Sequence, residues 1–198
     1  MGPQPVAPGK KNARRLKAGL VFLDESGLLM APLVRRTWAP VGRTPILYQR
    51  TRHHERVSMI AAITVSPRRR KVGLYFCLLA NENVVTQNVL HFLRQLQRHL
   101  GSAIVVVWDR LNVHRSAWAK LRRRNRSVHS TFLPPYAPEL NPVEAFWSYL
   151  KMNPLANYPA LDAKELQFRT RRHSLRIAGD QALLRSFLRS SPLSLRLH

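Results

Sequence analysis

Acidic residues are scarce in this chain: 10 Asp and Glu stand against 33 Lys and Arg in 198 residues, a formal net charge of +23 with the histidines neutral. Cysteine is scarcer still. Cys77 is the one cysteine, which excludes an internal disulfide and a cysteine-rich zinc site. No hydrophobic run approaches the ~18–20 residues of a membrane span, so the sequence reads as a soluble protein. The opening MGPQPVAPGKKNARRLKAG lacks the apolar centre of a secretory signal. Neither an internal repeat nor a heptad pattern is visible. What the chain does have is 45% hydrophobic residues, enough apolar surface to exclude wholesale disorder. At this length one catalytic-sized domain with a full core is expected. The charge excess points to a polyanionic partner, nucleic acid first, and leaves open a basic binder that does no chemistry.

The patterning divides the chain in three. Residues 1–17, with Lys10, Lys11, Arg14, Arg15 and Lys17 among prolines and glycines, read as a mobile basic arm. From Ala18 the periodicity predicts buried strands: Ala18–Leu23, Leu28–Arg36, Thr44–Arg50, and a hairpin of Val57–Val65 and Val72–Ala80 with a basic tip at Arg68–Lys71. The period then becomes helical over Asn83–Leu100, with Gly101 placed as a C-cap. A short apolar run, Ala103–Trp108, follows. A short basic helix over Ser116–Arg124, a strand over Val128–Leu133 and a helix opening at Asn141-Pro142 complete the pattern to about residue 155. Residues 156–198 read as a basic helical extension broken by Gly179 and Pro192. Strands first and then alternating helix and strand predict an α/β layer domain with a mixed sheet.

Three of the ten acids fall where chemistry favours them. Asp24 and Asp109 each end an apolar run, in GLVFLDES and AIVVVWDR. Either acid alone can simply mark where burial stops. Neighbouring parallel strands, however, lie ~4.8 Å apart, so two acids ending such strands can share one ion. Ligand sites of α/β sheets also gather at the carboxyl ends of strands. The third acid, Glu144 in PPYAPELNPVEAFWSYLK, has a structural reading of its own. Asn141 suits the N-cap, Pro142 the first helical position and Glu144 the third position of a capping box. The same geometry plants a carboxylate in the first turn of a helix that Phe146, Trp147 and Leu150 can anchor. Phosphodiester cleavage gives a reason to group the three, because two Mg²⁺ ions ~4 Å apart activate water and stabilise the leaving oxygen, and Mg²⁺ prefers oxygen ligands.

Asp24 in LDES, Asp109 in WDRLNVH and, after 34 intervening residues, Glu144 in LPPYAPELNPVEAFWSYLK resemble the DDE transposase domain of the mariner-like superfamily, above all its bacterial insertion-sequence branch. The proline-rich approach to Asn-Pro-x-Glu with a following Trp is the most specific part, and the resemblance spans roughly residues 18–155. It implies an RNase H-like mixed sheet flanked by helices. It implies, too, that Asp24, Asp109 and Glu144 are catalytic and hold two Mg²⁺ or Mn²⁺ ions. The implied activity is cleavage and transfer of DNA strands, with element ends and a TA-containing target as DNA partners and a homodimer as the acting form. An intracellular, nucleoid-associated location in a bacterial cytoplasm would follow. Glu25 is set aside as a ligand because its side chain should point to the opposite strand face from Asp24.

Two departures stand out. Many relatives carry Asn after the second Asp, where this chain has Arg110, a cation that can contact DNA or depress activity. Full-length relatives also carry N-terminal helix-turn-helix domains, for which seventeen residues leave no room. The expectation is therefore the catalytic part of a split transposase working with a separate helix-turn-helix half. The alternatives are an inactive DNA-binding remnant and a stand-alone RNase H-like nuclease.

Other residues carry weaker signals. His53-His54 adjoin a basic strand edge and face phosphate or solvent, whereas His114, five residues past Asp109, adjoins the site. Cys77 reads as a small core residue, and Trp147 as packing behind Glu144. The groups Arg35-Arg36, Arg50–Arg52, Arg68–Lys71 and Arg122–Arg124 are solvated faces by default, some of which must line a DNA path.

Overall fold

The computed structural model describes residues 13, 15–48, 55–123, 125–193, 195 and 197. Most of the basic arm, together with Arg50–Arg52, His53-His54 and Arg124, lies outside the described residues.

Five strands form one sheet: β1 (Gly19–Leu29), β2 (Arg56–Val65), β3 (Val72–Ala80), β4 (Ile104–Trp108) and β5 (Val128–Phe132), in the spatial order β3-β2-β1-β4-β5. The first three pair antiparallel, while β4 and β5 join parallel to β1. The sheet is thus mixed, and β1 lies at its centre. Alternation along β1 splits the core into two layers. Leu20 and Phe22 face one layer with Val105 and Val107, whereas Val21 and Leu23 face the other with Ile104, Val106 and Trp108. The second layer is closed by α1 (Thr86–Leu100) and α2 (Asn112–Leu121), through Val89, Leu93, Leu96, Ala117 and Leu121. Three helices cover the first: α3 (Pro142–Met152), α4 (Ala163–Gly179) and α5 (Gln181–Ser190).

Local signals account for most of the boundaries. Gly101 adopts the left-handed conformation (φ 60°) and its N–H closes α1 on the Gln97 carbonyl. Asp180 ends α4 and also caps α5, its carboxylate accepting the Leu183 amide at 2.9 Å. Residues 156–198, expected as a basic extension, supply α4 and α5, which pack on the sheet through Leu166, Ile177, Leu184 and Phe187. They also engage the edge strand. Gln181 exchanges two hydrogen bonds with the backbone of Val72, and Gln167 donates to the Leu78 carbonyl, so β3 offers fewer free backbone groups to another chain.

Two strand expectations are corrected. Leu28 and Leu29 end β1 rather than opening a second strand, and the described part of Thr44–Arg50 is not a strand. Residues 32–48 cross the surface instead, with Trp38, Val41 and Tyr48 exposed. Their apolar content mimics a strand pattern, but both sides of β1 are already occupied, by β2 and β4. The segment is fastened to the far end of α3: Arg35 donates to the Met152 carbonyl and Asn153 Oδ1, and Arg35 and Asn157 exchange two hydrogen bonds. The short basic helix also starts earlier than the pattern suggests, at Asn112.

Candidate active site

The parallel register of β1 and β4 ends with Phe22 opposite Val107. Asp24 and Asp109 each lie two residues beyond that pair, where β4 has ended while β1 runs on to Leu29 beside β2, so that Asp24, expected at a strand end, stands within its strand. The helix bearing Glu144 is fastened to β1 at three points. Asn141 Nδ2 donates to the Leu23 carbonyl at 3.3 Å, Trp147 Nε1 to Asp24 Oδ2 at 2.9 Å, and Lys151 Nζ to Ser26 Oγ at 2.7 Å. Buried Phe146, Trp147 and Leu150 hold the same helix to the core.

Only half of the expected capping box forms. Asn141 caps α3 by accepting the Val143 amide, but its own N–H donates to the Pro138 carbonyl at 2.8 Å, so the glutamate has no capping duty. Glu144 is exposed in the first turn, where its charge acts on Asp24. Burial pushes the Asp24 carboxyl up to about 7 against the pull of the Trp147 hydrogen bond, and the charges of Glu144 and Glu25 add to the rise.

Asp109 belongs to a second cluster. Its Oδ1 accepts the Leu111 amide at 3.0 Å, an Asx-type turn that leads β4 into α2, and also the His114 Nδ1–H at 2.5 Å. The other ring nitrogen of His114 donates to Glu25 Oε1 at 2.8 Å. Ionised carboxylates only accept, so both ring nitrogens carry protons. The His114 side chain is fully buried (0% exposed), against 13% for Glu25 and 44% for Asp109. Burial alone would lower the imidazole, yet the two carboxylates raise it to about 9. The same bonds, with that of Leu111, hold Asp109 below the usual carboxylate range in spite of its own desolvation. The His114 ring stacks on Trp108 at 4.9 Å, and Trp108 in turn stacks on Phe132 and donates to Ser130 Oγ.

Glu25 therefore points away from Asp24, as alternation along the strand requires: Asp24 meets α3 and Glu25 meets α2. Sequence reasoning discarded Glu25 as a ligand and missed its partnership with His114, which joins residues 89 positions apart. Trp147 does more than pack, since its indole fixes one Asp24 oxygen. Cys77 is half-buried on β3, and burial raises its thiol.

Among the described residues, no group of three or more His, Cys, Asp and Glu side chains is gathered so as to hold a metal ion. The charge of Glu144 reaches and repels that of Asp24, and Asp109 turns one oxygen to His114. The donors nevertheless suit a hard divalent cation. The Leu111 and His114 bonds of Asp109 both go to Oδ1 and both oxygens of exposed Glu144 can turn to a cation, while burial, with added repulsion from Glu144 and Glu25, already pushes Asp24 towards its protonated form. Away from the acids, a cleft of about 580 Å³ between α1 and α2 is lined by Arg94, Lys120 and Arg123.

A mixed five-stranded sheet in this strand order, with helices on both faces, is the RNase H-like fold. The family model of the DDE superfamily endonucleases matches residues 19–167, and the chain belongs to that family. Among solved structures the chain is similar to the Mos1 mariner paired-end complex with Mn (16% identity, TM-score 0.64, 92% of this chain and 55% of that one). It is similar also to the Mos1 strand-transfer complex (16%, TM-score 0.63, 94% and 55%) and to the Mos1 paired-end complex with the left transposon end (16%, TM-score 0.61, 91% and 54%). The chain thus spans little more than half the length of these neighbours. No curated protein matches the sequence.

Proposed function

We propose that the chain is the catalytic domain of a cut-and-paste DNA transposase, in which Asp24, Asp109 and Glu144 hold two Mg²⁺ or Mn²⁺ ions. One observation carries the reading: two acids stand level, each two residues past the last parallel pair of β1 and β4, and a helix fastened to β1 at Leu23, Asp24 and Ser26 carries a third whose charge acts on Asp24. Divalent ions bound there supply a water of lowered pKa and positive charge at the leaving oxygen. The residues do the rest. Trp147 and His114 each take one carboxylate oxygen and leave the other for a ligand, while Arg94, Lys120 and Arg123 offer three cations for the DNA backbone. The neighbours' paired-end and strand-transfer complexes support element ends and a target duplex as DNA partners, with TA as the target step. A homodimer, a separate helix-turn-helix half and a nucleoid-associated cytoplasmic location belong to the same proposal.

Nicking of supercoiled plasmid in Mg²⁺ or Mn²⁺ tests it, with a helix-turn-helix half supplied in trans. Asp109→Asn should lower the rate at least ~10³-fold, a barrier increase of about 4 kcal/mol, with DNA affinity equal or slightly higher. Equal nicking by both proteins would refute the site. Absence of nicking by either, together with no thermal stabilisation by metal, would leave the DNA-binding remnant as the correct reading.

A further inference from the structure

Building on the catalytic reading above, we infer that His114, backed by Glu25, is a positioning residue for the reaction: it fixes the rotamer of Asp109 so that Oδ1 is turned inward and Oδ2 is presented to a cation. A carboxylate at a strand end has free χ1 and χ2 rotation. Here that rotation is stopped at Oδ1 by two bonds, the Leu111 amide at 3.0 Å and, from behind, a fully buried imidazole at 2.5 Å. The imidazole is itself immobile. Its far nitrogen is held by Glu25 at 2.8 Å, and its face lies on Trp108, 4.9 Å between centroids at 18°. Trp108 is locked in turn by Ser130 Oγ and the ring of Phe132. A cation over an indole face is favourable in its own right. The chain of contacts therefore runs from the sheet's second layer through α2 to the carboxylate, with Glu25 of the central strand closing the loop. A residue that only filled the core would need neither carboxylate, and an aliphatic side chain would serve there without burying a charge.

The two ring nitrogens can be separated by substitution. His114→Asn keeps a donor near the Nδ1 position and loses the reach to Glu25, whereas His114→Gln places its donor near Nε2 and abandons Asp109. The thermal midpoint in chelator, the Mg²⁺ concentration that half-saturates thermal stabilisation, the KM for plasmid and single-turnover nicking would be measured for each. Outer residues that orient ligands typically cost roughly 10–100-fold in metal affinity or activity when lost. The expected order is wild type, then His114→Asn, then His114→Gln. For the last, half-saturating Mg²⁺ should rise ~10-fold or more and kcat fall to match, with KM for DNA unchanged. Glu25→Gln should fall with His114→Asn.

Folded His114→Gln that binds Mg²⁺ and nicks like wild type would overturn the inference, as would His114→Asn no better than His114→Gln. If neither folds, Glu25→Gln decides, because it leaves the imidazole in place: unchanged Mg²⁺ dependence there would refute the inference. Failure of the underlying reading looks different. In that case wild-type protein itself is neither stabilised by Mg²⁺ nor active, and the inference falls with it.

Discussion

At the scale of single residues, two groups of the site, Asp24 and His114, are displaced in favour of the protonated form, while Asp109 is displaced the other way and stays ionised above about pH 4. Asp24 has its carboxyl raised to about 7, so the native state retains a proton that the unfolded chain loses near 4. Native protein therefore binds more protons across that window, and stability falls as pH rises from about 4 to about 7. His114, raised to about 9, is charged in the native state where the unfolded imidazole is already neutral, so its contribution is complete below about 6.5 and lost as pH rises through 9. In chelator the thermal midpoint should decline from pH 4 to pH 9. Asp24→Asn should flatten the lower half of that decline and leave the upper half in place. A profile for Asp24→Asn superimposable on wild type between pH 4 and 7 would refute the burial of an ionisable Asp24. That Asp24 and Asp109 stand level beyond paired parallel strands was legible from sequence, since each follows an apolar run. The contacts of Glu25 and His114 were not, because they depend on which face of β1 meets α2, and that is decided by packing across 89 residues.

At the scale of elements, α3 illustrates how one side chain does two jobs. Asn141 caps the helix through its oxygen and fastens it to β1 through its nitrogen. Asn141→Ser retains an N-cap oxygen and loses the reach to the Leu23 carbonyl, whereas Asn141→Ala loses both. Loss of a cap costs about 1 kcal/mol, so only the alanine variant should show that penalty in denaturant unfolding. Both should nick at least ~10-fold more slowly, since small misplacements of reacting groups cost rate steeply. Full activity in Asn141→Ser would mean that the tether does not position Glu144. The capping signal Asn-Pro-x-Glu announced this helix in the sequence, and its place in the first layer followed from Phe146 and Leu150. Residues 32–48 were misread for the opposite reason. Leu33, Val34, Ile46 and Leu47 have strand composition, but strand formation needs an open sheet edge, and β1 has none. Local propensity had no means of registering that β4, which begins 64 residues downstream of this segment's centre, takes the place beside β1.

At the scale of the whole molecule, charge outweighs recognition. If the chain acts on DNA as proposed, a net +23 on 198 residues should make phosphate neutralisation the main source of its affinity. If about six phosphates are engaged, affinity should drop ~10³-fold between 50 and 200 mM salt, with little difference between random duplexes and element ends. Replacing Arg94, Lys120 and Arg123 together by Ala should reduce the salt slope by up to ~2.7, about 0.9 per lost phosphate contact. An unaltered slope would remove the α1–α2 cleft from the DNA path. The basic character of the chain was plain in its composition. The cleft was not, because Arg94 and the pair Lys120 and Arg123 come from separate helices that meet only in the folded protein.

The central place of β1 has a consequence in time. Asp24 is synthesised 120 residues ahead of Glu144, on a strand whose antiparallel partner β2 carries none of the other acids. At 5–20 residues per second that is an interval of roughly 6–24 s. On the proposed reading, the nascent chain through that interval carries its basic charge without a complete set of carboxylates. A chain interrupted before the third helix lacks Glu144 and also the three helices that close the first core layer, so premature termination of synthesis should not release an unregulated nuclease.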